Sequence, residues 1–283
     1  MKITIFSKDR PAQLDLLLRS MKHYFNFPYT LAVSYKASNR EFAEGYKKID
    51  LGSGKWFLQE DFKESIKYIC PESGLILNLC DDDVVINPLD ELDLMYETLF
   101  QYDQIKCFSL RLTPSSSFSF AHNRPMPPPD LKCYRDFFVW DWTLNEKWSD
   151  WGYPHNLAGH VYRAKYFKQI LEWSKVMSLR ISRKKGLNWV NWDSFNSLEG
   201  AMARWPRKAT PLMAGFYKQI LFNPAVNRTQ TELMNRVGKA NHQSLNALNH
   251  KFLAGYRIKF EPDKYRKYIQ TGGDDVEFEF EKI

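Results

Sequence analysis

The amino-acid sequence predicts an α/β protein, with a mostly parallel central sheet flanked by helices, built as one domain over residues 1–283. Three observations lead there. Strand, helix and strand follow one another within about 35 residues of the start, the spacing of a βαβ unit. A short apolar run at Leu75, Ile76, Leu77 and Leu79 has the composition of a strand buried on both faces. Strand-like and helix-like stretches go on alternating beyond it, with no internal repeat and no clean linker.

The elements follow in order. Lys2–Ser7 is β-branched and weakly alternating, so it reads as the first strand. A turn, Ser7-Lys8-Asp9-Arg10-Pro11, leads into a helix with Pro11 in its first turn, where the missing N–H costs nothing. Leu14, Leu17, Leu18 and Met21 give that helix an apolar stripe to about Tyr24. Tyr29–Tyr35 is the second strand. A helix over Asp61–Ile69 feeds the Leu75 strand, and Pro88 opens another over Leu89–Phe100. Ile105–Leu112 and Phe137–Leu144 read as strands, Asp150–His160 as turns, and Val161–Met177 as strand passing into helix. A short helix over Asn196–Trp205, a strand at Lys218–Phe222 and a polar helical stretch from Thr229 to Ala254 follow. Strict alternation in VEFEFEKI predicts a closing edge strand with Val276, Phe278 and Phe280 inward.

Two segments stand apart. TPSSSFSFAHNRPMPPPD, residues 113–130, is long and aperiodic, and reads either as a loop over the site or as a passive excursion. Arg180–Lys185 reads as a basic loop, either solvated or touching a phosphate or an acidic membrane surface.

Composition narrows the function classes. Hydrophobic residues make up 44% of the chain, mean hydropathy is -0.50, and no run approaches the roughly 20 apolar residues of a membrane span. The opening turns polar after Phe6, unlike a secretory leader, so a cytoplasmic setting is expected, with peripheral contact at the inner face of a membrane as its variant. The net charge of +7 favours anionic partners, but no nucleic-acid-binding signature stands out. Cys70, Cys80, Cys107 and Cys133 form no CxxC pair, which favours reduced thiols over a disulfide framework. Trp140, Trp142, Trp148 and Trp151 crowd one stretch, with Trp189 and Trp192 beyond, and divide between core packing and a sugar-binding surface.

The most informative stretch is Asp81-Asp82-Asp83, closed by Asn87-Pro88. In an extended chain Asp81 and Asp83 share a face and Asp82 points opposite. Three adjacent carboxylates repel one another unless a cation or hydrogen-bond donors compensate. A hard divalent cation, Mg²⁺ or Mn²⁺, suits such oxygen donors and usually arrives with phosphate.

These residues together resemble a glycosyltransferase of the GT-A fold, closest in style to family 2. Three pieces carry the resemblance: the first strand running into Ser7-Lys8-Asp9-Arg10-Pro11, the DxD-like Asp81-Asp82-Asp83 after a buried strand, and the pair GHVYRAKYF at 159–167 and NWDSFNSLEGAM at 191–202. The likeness spans roughly residues 1–205. It implies a nucleotide-sugar-binding half over 1–112, an acceptor-side half over 113–260 and a C-terminal tail over 261–283. It also implies that Asp81 and Asp82 lie near the ribose and diphosphate, that Asp83, with Asp81, holds Mn²⁺ or Mg²⁺, and that Ser7 and Arg10 line the nucleotide pocket. The partners would be a nucleotide-sugar donor and a glycan or lipid-linked acceptor, as in polysaccharide synthesis.

Two departures matter. No acid follows the second strand, where the family often holds the base, and the later motif is not a clean Glu-Asp pair. Glu199 is one candidate general base and Asp193 its rival. Glu199 also fits a plain structural role, as the N3 residue of a capping box with Asn196 as N-cap. Two other functions fit less well. A sugar nucleotidyltransferase normally has a glycine-rich loop after the first strand, and SKDRPAQ has no glycine. A non-catalytic glycan- or membrane-surface binding module is the non-enzymatic alternative.

Overall fold

Strand β1 (Lys2–Lys8) is the middle of the parallel part of the sheet, and the computed structural model describes residues 1–60, 62–185, 195–204, 211–229, 243–268 and 270–283 around it. Helix α1 (Pro11–Tyr24) starts with Pro11 as predicted and carries the chain back to β2 (Thr30–Lys36), parallel to β1. Next come α2 (Arg40–Lys47), β3 (Lys55–Leu58), α3 (Phe62–Ile69), β4 (Leu75–Cys80) and β5 (Val84–Val85). The sequence reading missed α2 and β3. Asn39 caps α2 by accepting from the Phe42 amide, a signal that was legible.

The chain continues through α4 (Leu92–Gln101), β6 (Ile105–Ser109), the small hairpin β7 (Phe118–Ser119) and β8 (Arg124–Pro125), then β9 (Lys132–Cys133) and β10 (Phe137–Asp141). β11 (His160–Arg163) passes directly into α5 (Ala164–Lys185). The expected basic loop at Arg180–Lys185 is therefore the last turns of a helix. After α6 (Phe195–Met202) come β12 (Leu212–Phe216), β13 (Leu221–Pro224), α7 (Leu245–Leu253), β14 (Tyr256–Ile258), α8 (Pro262–Arg266), β15 (Gly272–Gly273) and β16 (Phe280–Lys282). The predicted closing strand shrinks to β16, which pairs with β14, while Val276 and Phe278 are buried without strand pairing.

The central sheet has nine strands in the order β3-β2-β1-β4-β11-β6-β12-β10-β9. β3, β2, β1 and β4 are parallel, as are β6 and β12. β11 runs against β4 and β6, and β10 against β12 and β9. The sheet is thus mixed but mostly parallel, with helices on both faces. Strands from 1–112 and from 113–260 pair within it, so the two predicted halves share one sheet.

Side-chain alternation assigns the faces. Ile3, Ile5, Leu77, Leu79 and Val161 face α1 and α7, meeting Leu14, Leu17, Met21, Leu248 and Phe252. Phe6, Ile76, Cys107 and Tyr162 face the other way, onto Phe62 and Ile66 of α3, Phe167 and Ile170 of α5, and Leu198 and Met202 of α6. Each such buried aliphatic side chain contributes about 1.5–3 kcal/mol, an upper figure against a compact unfolded chain. No helix among the described residues is long and apolar enough to cross a membrane.

Candidate functional site

The strand order reverses between β1 and β4, since the chain builds outward to β2 and β3 on one side and to β11 and β6 on the other. In open α/β sheets such a switch point leaves a crevice at the carboxyl ends of the strands, where ligands bind. Ser7, Asp9 and Arg10 follow or end β1 there, and Asp81–Asp83 follow β4.

These residues form one hydrogen-bonded network. The Asp81 carboxylate accepts from Ser7 Oγ at 2.9 Å, the Lys8 amide at 2.9 Å and Arg10 Nη1 at 2.9 Å. The same Arg10 Nη1 reaches Asp82 Oδ2 at 2.6 Å. The rest of the guanidinium is held by Asn227, with Nε on its side-chain oxygen at 3.0 Å and Nη2 on its carbonyl at 2.6 Å. Tyr46 Oη lies 2.7 Å from Ser7 Oγ. The structure therefore brings Ser7, Arg10, Asp81 and Asp82 together.

Asp83 lies apart from Asp81. β4 ends at Cys80, so residues 81–83 form a turn, and the shared face expected from extended geometry does not arise. Asp83 Oδ2 closes the turn by accepting from the Cys80 amide at 2.9 Å. Its Oδ1 takes Asn223 Nδ2 at 3.2 Å, and that amide also reaches Asp82 Oδ1 at 3.0 Å. Asn223 comes from β13, more than a hundred residues downstream in sequence.

Asp83 is fully buried and Asp81 nearly so, while the Asp82 side chain keeps 15% of its exposure. Burial pushes both the Asp81 and Asp83 carboxyls up to about 6; Arg10 opposes the shift at Asp81 and Arg111 opposes it at Asp83. Burial also works against the Arg10 charge, but Asp82 and Asp81 outweigh it and hold the guanidinium protonated.

The fit to a divalent cation is partial. The donors are hard oxygens of the type Mg²⁺ and Mn²⁺ take. Each of the six carboxylate oxygens of Asp81–Asp83 already accepts a hydrogen bond. Among the described residues no three acidic, histidine or cysteine side chains converge on a metal position. As arranged, the protein groups alone do not form a cation cage.

Glu199 sits on α6, near enough to Asp83 for their charges to interact. Asn196 lies inside α6 and is not its N-cap, so the capping-box reading fails. The Glu199 carboxylate instead turns in to accept from the Leu157 amide at 3.1 Å. The residue is partly buried, and burial of the carboxyl raises it to about 7, with Asp83 adding and Arg111 opposing. Asp193, Trp189 and Trp192 lie outside the described residues, as do residues 230–242 of the predicted helical stretch from Thr229 to Ala254, whose described end holds α7.

His155 and His160 are buried, and burial lowers both to about 3, so they stay neutral near pH 7. Trp140, Trp142 and Trp151 are core residues at 1%, 2% and 0% exposure, which removes them from any sugar-facing surface. Trp148 alone of the cluster is half-buried, with the Arg124 guanidinium 3.2 Å above its ring. The aperiodic 113–130 segment is well tied, since Trp151 Nε1 donates to the Ser116 carbonyl at 3.1 Å and Met126 is fully buried.

Sequence reasoning missed Arg111, Asn223, Asn227 and Tyr46. Arg111 follows β6 at the same carboxyl edge as the acidic turn, a position that the strand pattern could have flagged. The asparagines carry no comparable local signal. Asp9 is a further surprise: its carboxylate accepts from the Ser38 amide at 2.6 Å, so an acid from the first turn reaches the end of β2, where the sequence there has none.

No family model matches the chain, and no curated protein matches it. Among solved structures it is similar to the crystal structure of residues 1–349 of S. aureus TarS, at 15% identity and a TM-score of 0.36 over 60% of this chain. The match covers 49% of that chain, so this protein spans about half of its length.

Proposed function

We propose that the protein is a glycosyltransferase that moves a sugar from a nucleotide-sugar donor to a glycan or lipid-linked acceptor, with Mn²⁺ or Mg²⁺ accompanying the donor. The observation that carries this reading is the acidic turn Asp81–Asp83 at the β1/β4 switch point, locked to Arg10, with the Glu199 carboxyl within electrostatic reach of Asp83. The GT-A resemblance of the sequence gives those positions their roles, with Ser7, Arg10, Asp81 and Asp82 toward the nucleotide and Asp83, with Asp81, toward the cation.

Charge supports the cation. Arg10 and Arg111 offset the three carboxylates Asp81, Asp82 and Asp83, and Arg10 is already spent on two of them. A surplus of negative charge repels a bare diphosphate and favours one that arrives with a divalent ion. Such an ion, when bound, offsets charge on a departing diphosphate. Because the six carboxylate oxygens are engaged, it would be held jointly with the donor's phosphates. Glu199 has the basicity for its part: a carboxyl near 7 can accept a proton from an acceptor hydroxyl at neutral pH.

Isothermal titration with UDP, GDP and CMP, each with and without Mn²⁺, tests the reading. Binding of at least one nucleotide that strengthens with Mn²⁺ is expected. Silence with all three in both conditions would overturn it in favour of a non-catalytic binding module.

A further inference from the structure

The carboxylate of Asp150 joins the 113–130 segment to the C-terminal tail. Its Oδ2 accepts from Thr271 Oγ1 at 2.9 Å, and its Oδ1 accepts from Ser119 Oγ at 3.4 Å. Its own amide points at Met126 Sδ, 3.1 Å away. Among the described residues no lysine or arginine pairs with Asp150, so the two hydroxyls are what hold the carboxylate. Ser119 belongs to the β7–β8 hairpin, and Thr271 leads into β15 near the C-terminus. Both are buried, at 0% and 4% exposure.

Thr271 is where this contact meets the acidic turn. Its carbonyl accepts from the Asn223 amide at 3.1 Å and from Arg111 Nη2 at 3.4 Å. Asn223 holds Asp82 and Asp83 through its side-chain amide, and Arg111 is close enough to oppose the upward shift at both Asp83 and Glu199. The Arg111 Nε is buried and has no partner among the described residues, so the Thr271 carbonyl is the hydrogen-bond anchor of the guanidinium there. The arginine's stem lies in a tight slot, for a Cβ on Gly159 would fall 2.8 Å from Arg111 Cγ. The β13–β15 ladder has only two registered pairs, Asn223 with Gly272 and Pro224 with Gly273, too short to fix Thr271 alone.

We propose that Asp150 is a positioning residue. Through Thr271 it sets Asn223 against Asp82 and Asp83 and anchors the Arg111 guanidinium, and through Ser119 it docks the β7–β8 hairpin against the segment that leads into β15. The inference assigns the 113–130 excursion and the C-terminal tail a shared task, as two walls of one site clamped by one carboxylate. It rests on the reading of the acidic turn as the ligand site only for its effect on binding; the clamp itself is independent of that reading.

The test uses the full chain with Asp150→Ala, Thr271→Val and the conservative Thr271→Ser, and two measurements. Hydrogen exchange at the Asn223 and Ala225 amides reads the clamp, because these donate to the carbonyls of Thr271 and Gly273. Titration with whichever of UDP, GDP and CMP the wild-type protein binds, in the presence of Mn²⁺, reads the site. Asp150→Ala and Thr271→Val should each speed exchange at those two amides about fivefold or more, the worth of roughly one lost hydrogen bond. The amides of β1 should keep their wild-type rates, and Thr271→Ser should restore slow exchange. Nucleotide affinity should weaken several-fold in the first two variants and recover in the third. Unchanged exchange at Asn223 and Ala225, or exchange raised equally in β1, would overturn the clamp. Faster exchange there with unaltered nucleotide affinity would overturn the positioning role. If the wild-type protein binds none of UDP, GDP and CMP, with or without Mn²⁺, the proposed function fails, and the exchange comparison still decides for or against the clamp.

Discussion

Arg10 Nη1 lies between two carboxylates, 2.9 Å from Asp81 and 2.6 Å from Asp82, with all three side chains at 15% exposure or less. This contact joins the end of β1 to the end of β4 at the switch point. It replaces, with a protein cation, part of the compensation that three adjacent aspartates demand.

Removing that cation should be costly. Arg10→Ala leaves Asp81 and Asp82 buried without their partner, and breaking a buried pair on one side typically costs about 3–5 kcal/mol. Arg10→Lys should recover only part, because a point charge cannot hold Asp81, Asp82 and Asn227 with one planar fork. Urea unfolding of the three proteins checks this. Equal midpoints for wild type and Arg10→Ala would remove Arg10 as the keystone of the network.

Glu199→Gln separates base from structural anchor. The glutamine carbonyl can still accept from the Leu157 amide, so the fold should hold. Transfer should fall by roughly 10²–10⁴ if the carboxylate takes the acceptor's proton. Near-normal turnover in a single-turnover assay would shift the role to Asp193 or to a mechanism needing no base.

The same residue gives a pH signature. Burial raises its carboxyl from the ordinary 4.5 to about 7, so between those values the native state binds more protons than the unfolded one. Stability contributed by this group is therefore present at low pH and lost as pH rises through about 7. Activity runs the other way, rising through the same window as the base deprotonates. Glu199→Gln should flatten this part of the stability profile, measured as the denaturation midpoint from pH 5 to 8. An unaltered profile would mean that the carboxyl is not so perturbed.

Asp83→Asn should abolish Mn²⁺-dependent nucleotide binding, since the amide keeps the shape and loses the charge. Its oxygen can still accept from Cys80 N, but its NH₂ would then face the Asn223 amide, donor against donor. Some loss of stability should accompany the loss of binding. Titration with and without Mn²⁺, alongside a melting curve, distinguishes the two effects. Retained Mn²⁺ dependence would take Asp83 out of the cation's surroundings.

The tryptophans should divide by burial. Trp140→Ala and Trp151→Ala each remove a fully buried ring and should cost about 3–5 kcal/mol. Trp148→Ala removes a half-buried ring and its Arg124 contact, and should cost clearly less. Chemical denaturation of the three variants tests the order, and a reversed order would contradict the packing described.

How much of this was legible in sequence depends on how local the cause is. The β1–α1–β2 unit, the buried run at Leu75 and the Asp81–Asp83 turn were readable because apolar spacing, Pro11 and strand composition act over a few residues. Arg10 was selected through its turn, and Glu199 through a motif resemblance. By contrast, α2 and β3 are short, and β12 gave no separate signal ahead of its pairing with β6 and β10. The capping box at Asn196 failed because a local pattern was also compatible with a residue inside the helix, and only packing brought Leu157 to Glu199.

By itself, then, the sequence determined the α/β class, the β1/β4 strands and the identity of the acidic turn, since these follow from periodicity and composition along the chain. Tertiary structure alone decided what compensates that turn. Asn223 reaches it from a distant position, Asn227 holds Arg10 against it, and Thr271 anchors Asn223 and Arg111; these hydrogen bonds exist only after the sheet has closed. The same holds for the tryptophans, whose composition fits a core and a sugar platform equally. Burial is a property of the folded surroundings, so their place among the packed strands had to be seen.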